Sequence, residues 1–218
     1  MNTVRSLAGL AILAITALGA ATIHAPSQAA GAATSAPRAA AASDYRVGDK
    51  LAPTVPAPKP AAKGDYKLTN WDALVPKDWD PMKDFKNLNF GLLQDGDPRA
   101  NEALDRLKRA FDNAPTVPSV NDTRVRIAGF VVPLEAEGDQ QMREFLLVPY
   151  FGACIHTPPP PANQIIHVTS TKPIKGFRTM DPMWASGTLR TAISDTAMGT
   201  SGYRMVLDEA AVYREPGR

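Results

Sequence analysis

Hydrophobic and polar residues alternate along the second half of the chain with the period of two that is typical of half-buried β-strands. The alternation predicts five strands, which cover residues 124–134, 144–151, 164–170, 183–191 and 203–213. Five short strands in an open sheet would leave two edges unpaired, and closure removes those edges. We therefore expect a small five-stranded OB-like barrel or a partly open β-barrel. Gly129, inside the first strand, predicts a bulge or a tight bend.

A helical period precedes the strands, over about residues 97–113. The residues of its apolar face are Leu104, Leu107, Ala110 and Phe111. Asp97 is suited to cap the helix, Pro98 fits its first turn, and Pro115 ends it. The elements together predict the α+β class, mainly β, with an amphipathic helix before a barrel that covers about residues 123–214.

The N-terminal residues carry a separate apolar run. Residues 7–20 are apolar, follow the basic Arg5 and precede small residues that end at Ala29, which is the pattern of a secretory signal peptide over residues 1–29. The run is short for a membrane span of about 20 residues, and no later run is longer. We expect an exported, periplasmic protein without a membrane span in its mature form; a retained N-terminal anchor is the alternative.

Residues 30–63 are rich in Ala and Pro and poor in large apolar side chains. Ordering such a segment buries little surface while it costs about 1–2 kcal/mol of backbone entropy per residue. We therefore predict a disordered tether over residues 30–63 and a single α+β domain over residues 64–218.

Charge and cysteine content exclude several classes of protein. The chain has 218 residues, with 24 Lys and Arg against 22 Asp and Glu, and these charges are spread along it. Nucleic-acid binding proteins usually concentrate basic residues in a patch, so no nucleic-acid partner is expected. A single cysteine excludes an internal disulfide, a four-cysteine zinc ribbon and a Cys-x-x-Cys pair.

The candidate chemistry is confined to residues 154–167, which contain Cys154, His156 and His167. These are the only thiol and imidazole groups after the predicted signal peptide. In an extended backbone, Cys154 and His156 would share one face, about 6.5–7 Å apart. A thiolate and an imidazole together favour zinc, with copper as the alternative. His167 is the weakest of the three ligands, because it ligates only if its strand folds back beside Cys154; a packed histidine is the alternative.

Further ligands would have to be carboxylates. The candidates in the sequence are Glu135, Glu137, Glu144 and Asp181. The spacing alone does not choose among them.

Two other functions remain open for the same segment. The prolines at 158–161 favour a stiff polyproline II strut, which is also a docking surface for partner proteins. An enzyme would use Cys154 as nucleophile and His156 as base, with Asn163 available to orient them.

Two long motifs resemble a known family. They are VRIAGFVVPLE at 125–135 and EFLLVPYFGACIH at 144–156, and the proline run and the pair Asn163-Gln164 follow the second. They resemble the exported bacterial family called domain of unknown function 3299, and the tryptophan-containing segments 71–76 and 184–189 extend the resemblance to residues 66–213.

The resemblance implies a periplasmic protein or lipoprotein, and some members of this family are encoded beside ABC transporter components in zinc-responsive gene clusters. It therefore implies a non-catalytic accessory role in metal homeostasis, and zinc is the metal that it favours. The partner would be an ABC transporter component or another envelope protein. Cys154 and His156 fall in the Gly-Ala-Cys-Ile-His motif of the family. No cysteine lies near the predicted signal peptide, so lipid attachment is not expected here.

Overall fold

The computed structural model describes residues 44–52, 64–83, 98–134, 141–156 and 159–215. The predicted signal peptide lies outside these ranges. So do the helix cap Asp97 and the carboxylates Glu135 and Glu137.

The described residues form one α-helix and six strands. In chain order these are β1 (Lys67–Leu68), α1 (Pro98–Asp112), β2 (Thr123–Pro133), β3 (Gln141–Val148), β4 (Ile166–Lys175), β5 (Pro182–Thr196) and β6 (Gly199–Val212). The five predicted strands are confirmed as β2 to β6. The predicted second strand begins and ends three residues earlier than expected, and β4 and β5 each extend five residues further.

Strands β2 to β6 close into a ring. β2 pairs with β3 along its second half and with β5 along its first, β3 pairs with β4, and β6 lies between β4 and β5. The β4–β6 pairing is parallel, whereas the other pairings within the ring are antiparallel. The α+β, mainly β class is therefore confirmed. The ring is not a regular barrel, since register shifts interrupt the β3–β4 and β5–β6 pairs.

Alternate side chains of β2 enter two apolar clusters on opposite faces of the strand. Val125, Ile127 and Val131 belong to the cluster inside the ring. Phe130 and Val132 belong to a second cluster, which includes Ala153 and the partly buried Cys154. Each large apolar side chain that is fully buried contributes about 1.5–3 kcal/mol. The second cluster therefore anchors the segment that contains the Cys-x-His motif.

Residues 44–52, part of the predicted tether, pack against the second cluster. Tyr45 is only 5% exposed, and its ring meets the ring of Phe130 edge-on at 5.1 Å between centroids. Lys50 forms an isolated antiparallel bridge with Tyr150, directly before the motif. The Tyr45 ring and the bridge at Lys50 thus hold residues 44–52 against the second cluster.

The predicted helix is confirmed, but its buried face is rotated from the expected one. Ala103 is its buried residue, and Leu107, Ala110 and Phe111 are half-buried. The prediction for Leu104 is wrong, because its side chain is 60% exposed. In the described ranges, no helix is both long and apolar enough to cross a membrane.

Gly129 allows close packing of its neighbours and does not form a bulge. A Cβ atom at Gly129 would lie 2.7 Å from Cγ of Leu147 and 3.0 Å from Cζ2 of Trp71. The Trp71 indole reaches over the glycine and donates from Nε1 to the Ala128 carbonyl at 2.7 Å. β2 stays in regular register with β5 through this position, so the predicted bulge is wrong.

A bulge does occur opposite Gly187, on β6. Ser186 pairs with Glu209 and Gly187 pairs with Leu207, so Asp208 is the extra residue. The Asp208 carboxylate accepts hydrogen bonds from the Tyr66 hydroxyl at 3.0 Å and from Arg124 at 3.2 Å. The carboxylate at the bulge therefore connects β6 to Tyr66, directly before β1, and to Arg124 in β2.

The Tyr203 hydroxyl joins three segments inside the fold. It accepts a hydrogen bond from the Val117 N–H and donates one to the Leu74 carbonyl, each at 2.7 Å. Burial raises the pKa of this phenol, so the hydroxyl keeps its proton and remains a donor. Tyr203 therefore links β6 to the segment before β2 and to the short helical turn Trp71–Leu74.

Candidate functional site

The Cys-x-His motif lies in a tight turn directly after β3. The Gly152 carbonyl accepts hydrogen bonds from the N–H groups of Ile155 at 3.3 Å and of His156 at 2.8 Å. Gly152 has a φ of 85° and Cys154 a φ of 64°, both in the left-handed region. The expected extended backbone is therefore wrong here, because Gly152 permits the chain to reverse before the thiol is reached.

The Cys154 thiol is half-buried beside the second apolar cluster. This burial raises its pKa to about 11, because removal from water disfavours the thiolate. The group is therefore a neutral thiol near pH 7. A cysteine that acts as an enzyme nucleophile usually has a lowered pKa, so its surroundings argue against the nucleophile interpretation.

Alkylation of Cys154 by iodoacetamide at pH 8 is expected to be about a hundredfold slower than that of an exposed cysteine in a peptide. The thiolate is the reacting form, and its fraction at this pH is small when the pKa is about 11. The measured rate should keep rising with pH towards about 11. A rate that levels off below pH 9 would contradict the proposed effect of burial.

His156 and its neighbours are displayed at the surface. His156 is exposed, and Ile155 is 38% exposed. After the turn, Pro159 is exposed and Pro160 is buried, so the proline run is in part a surface feature. Asn163 is buried and donates from Nδ2 to the Pro115 carbonyl at 3.0 Å. Its amide therefore holds the segment that follows α1, and not the imidazole of His156.

His167 is buried on β4 between two polar partners. Its Nδ1 lies 2.7 Å from Oγ of Ser194, and its Nε2 lies 2.5 Å from Oε1 of Glu144. The imidazole is 4% exposed, whereas the Glu144 side chain is 39% exposed. A proton on Nε2 lets the ring donate to the carboxylate and accept from the serine hydroxyl. Both nitrogens are therefore engaged, and a metal ion at His167 would have to displace one partner.

The remaining predicted ligands are not gathered around the thiol. Glu144 pairs with His167, and Asp181 is buried and accepts from the Arg178 N–H at 2.8 Å. The described ranges contain no group of three or more His, Cys, Asp or Glu side chains that could hold a metal ion. Cys154 and His156 share one turn, whereas Glu144 and His167 pair with each other elsewhere in the fold.

Sequence reasoning missed Ser194 as a partner of His167. The two residues are 27 positions apart and belong to different strands. A serine in a β-rich run carries no signal of its own. The pairing follows from the ring, in which β5 and β4 both flank β6.

Comparisons with known proteins agree with the resemblance of the motifs. The sequence profile of the family described as "Protein of unknown function (DUF3299)" matches residues 71–212. A crystal structure of a DUF3299 family protein from Pseudomonas aeruginosa PAO1 is similar, with 30% sequence identity and a TM-score of 0.55. The similarity covers 71% of this chain and 100% of the other. No curated protein matches the chain. On the length of the profile match and on this structural likeness, the chain belongs to the DUF3299 family.

Proposed function

We propose that the protein is a periplasmic accessory protein in metal homeostasis, which binds zinc, or alternatively copper, through Cys154 and His156. It would serve an ABC transporter or another envelope protein. The observation that carries the proposal is the turn itself. The sole cysteine of the chain adopts a left-handed backbone conformation two residues before an exposed imidazole.

The left-handed conformation at Cys154 is costly for a residue with a side chain. Such conformations persist where the surrounding structure enforces them, and they occur often at functional sites. Here the two hydrogen bonds to the Gly152 carbonyl and the packing of Cys154 against the second apolar cluster enforce it. The turn is thus held in one shape, which suits a pair of ligands.

The donor set fits a borderline or soft metal ion. Thiolate and imidazole are ligands of zinc and of copper, whereas calcium and magnesium prefer oxygen ligands. Zinc usually takes four ligands, and Cys154 with His156 supplies two. Water or side chains of another protein would complete the sphere. A metal ion held in this way is open to exchange, as delivery to a transporter requires.

Metal binding at this turn has to displace the thiol proton. Because burial raises the pKa of Cys154 to about 11, the ion competes with a tightly held proton at neutral pH. Affinity should therefore fall as the pH falls, since protons compete with the metal ion for the sulfur.

The experiment is native mass spectrometry of the full chain, prepared without chelator, before and after addition of one equivalent of zinc or of copper(I). We expect one bound ion per chain at pH 7.5 and progressive loss of it towards pH 5.5. Cys154→Ser and His156→Ala should each weaken binding by about tenfold or more.

His167→Gln is the control for this measurement. Both ring nitrogens of His167 are already hydrogen-bonded, so the proposal expects this variant to keep the metal. A wild-type chain that stays metal-free after addition of both metals would overturn the proposal. Retention of the ion by Cys154→Ser would also overturn it.

A second candidate function is partner docking at the same turn. Val47 is 52% exposed and Ile155 is 38% exposed. A Cβ atom on Gly152 would lie 3.1 Å from both Cγ atoms of Val47, so these exposed apolar groups adjoin the motif. Exposed apolar groups beside the motif suit the docking of an envelope protein. Docking predicts that Ile155→Asp abolishes binding of the partner and leaves metal content unchanged.

A further inference from the structure

Three side chains from three strands form one hydrogen-bonded row. His167 of β4 is its centre, with Oγ of Ser194 from β5 at 2.7 Å from Nδ1 and Oε1 of Glu144 from β3 at 2.5 Å from Nε2. A hydroxyl, an imidazole and a carboxylate in this order are the groups by which hydrolases make a serine nucleophilic. With its proton on Nε2, the ring donates to the carboxylate and Nδ1 can take the proton of the serine.

The centre of the row is shielded from water, whereas its two ends are not. The His167 side chain is 4% exposed, the Glu144 side chain is 39% exposed, and Ser194 is half-buried. A general base has to lie within about 2.6–3.2 Å of the group whose proton it takes. The distance from Nδ1 to the Ser194 hydroxyl satisfies this condition in the free protein.

An irregularity of β5 lies directly before the serine. The pairing with β6 changes register between Thr191 and Ser194, where two residues of β5 lie opposite Gly202 alone. Such a bulge redirects the side chains that follow it, and bulges are frequent beside active sites. The bulge therefore accounts for a serine of β5 that reaches His167, although β6 lies between β4 and β5.

An open depression of about 370 Å³ adjoins the row. Two of its lining residues are direct cross-strand neighbours of the row. Thr169 is opposite Glu144 in the β3–β4 pair, and Arg204 is opposite His167 in the β4–β6 pair. Arg204 is exposed, so its guanidinium adds a positive charge to the surface beside the imidazole. The depression therefore gives a small substrate room next to the row.

We propose that the protein hydrolyses a small ester, with Ser194 as the nucleophile, His167 as the general base and Glu144 as a positioning residue. An ester is favoured over an amide because an alcohol leaves more readily than an amine. Arg204 supplies positive charge beside the site where the substrate oxygen becomes anionic. This activity uses none of the residues of the proposed metal site.

The reaction has two halves. The Ser194 oxygen bonds to the acyl carbon while its proton passes to Nδ1 of His167 and the carbonyl electron pair moves onto oxygen. The bond from the acyl carbon to the alcohol oxygen then breaks, and that oxygen takes the proton from His167. Water adds to the acyl group with the help of the same imidazole, which releases a carboxylic acid and restores the serine.

A fluorophosphonate probe tests the nucleophile, because it labels serines whose proton a neighbouring base removes. The full chain is treated with the probe, and the label is counted by intact mass spectrometry and located by peptide mapping. We expect one label per chain, on Ser194, and none in Ser194→Ala or His167→Gln. A wild-type chain that stays unlabelled would overturn the proposal, and so would a label on another serine.

Hydrolysis of p-nitrophenyl acetate measures turnover. Ser194→Ala is expected to lower kcat by about a hundredfold or more. Glu144→Gln should lower kcat by about tenfold or more with KM unchanged, because the carboxylate orients the imidazole and does not touch the substrate. A kcat for Ser194→Ala equal to that of the wild type would show that the row does not act on the ester.

Ser170→Ala is the matched control. Ser170 is also half-buried and lies on β4, but its hydroxyl donates to the Lys172 carbonyl at 2.8 Å. This variant should keep both the label and the turnover, and Cys154→Ser should keep them as well. An equal loss in Ser170→Ala and Ser194→Ala would assign the effect to the packing of the sheet and would contradict the role of Ser194.

Discussion

Replacement of Gly187 by alanine is expected to lower the free energy of unfolding by about 3 kcal/mol, because it forces apart the two strands at the bulge. A Cβ atom at Gly187 would lie 2.2 Å from the Val206 carbonyl oxygen and 3.1 Å from Cα of Leu207. These atoms belong to the backbone of β6, so a change of rotamer does not relieve the clash. The thermal midpoint, measured by circular dichroism, should fall by about 6–12 °C.

The neighbouring variant Ser186→Ala is the control for this prediction. Ser186 is fully buried, and its hydroxyl has no hydrogen-bond partner among the described residues. Its loss should leave the midpoint unchanged or raise it slightly, because no hydrogen bond is broken. Equal thermal midpoints for Gly187→Ala and the wild type would contradict the prediction, because they would mean that the strands separate at the bulge at little cost in free energy.

The variant Tyr203→Phe is expected to lower the free energy of unfolding by about 2–3 kcal/mol. It keeps the buried ring but leaves the Leu74 carbonyl and the Val117 N–H without the partner that each has at 2.7 Å. An unpaired buried polar group costs more than the hydrogen bond was worth. Urea unfolding should show a lower midpoint with an unchanged m-value.

Tyr66→Phe removes the same atom from a more exposed site. The Tyr66 hydroxyl donates to Asp208 at 3.0 Å and accepts from Arg124 at 2.7 Å, and both contacts are accessible to water. Because water replaces the lost partners, the cost should stay below about 1 kcal/mol. A loss in Tyr66→Phe as large as in Tyr203→Phe would contradict the role given to burial.

The strands were predictable because each has one face inside the ring. Val125, Ile127 and Val131 enter one cluster while Phe130 and Val132 enter the other, and such alternation is visible in the sequence. The order of the strands was not predictable in the same way. The parallel pairing of β4 with β6 depends on contacts between residues more than 30 positions apart, such as Ile166 with Tyr203.

The residues of the candidate site were easier to predict than their geometry. Cys154 and His156 stand out by composition, but their spacing was interpreted on an extended backbone, and Gly152 allows the turn that replaces it. His167 is buried between the polar groups of Glu144 and Ser194, and Ser194 carries no local signal in the sequence.

The position of β6 matters while the chain is being made. β6 lies between β4 and β5, so a nascent chain completes β4 and β5 before the strand that separates them exists. Until Gly199–Val212 is added, both strands present unpaired backbone N–H and C=O groups along one edge. Edges of this kind recruit strands from other molecules, which is a common route to aggregation. A chain cut between β5 and β6 would therefore be more prone to aggregate than one cut before β2.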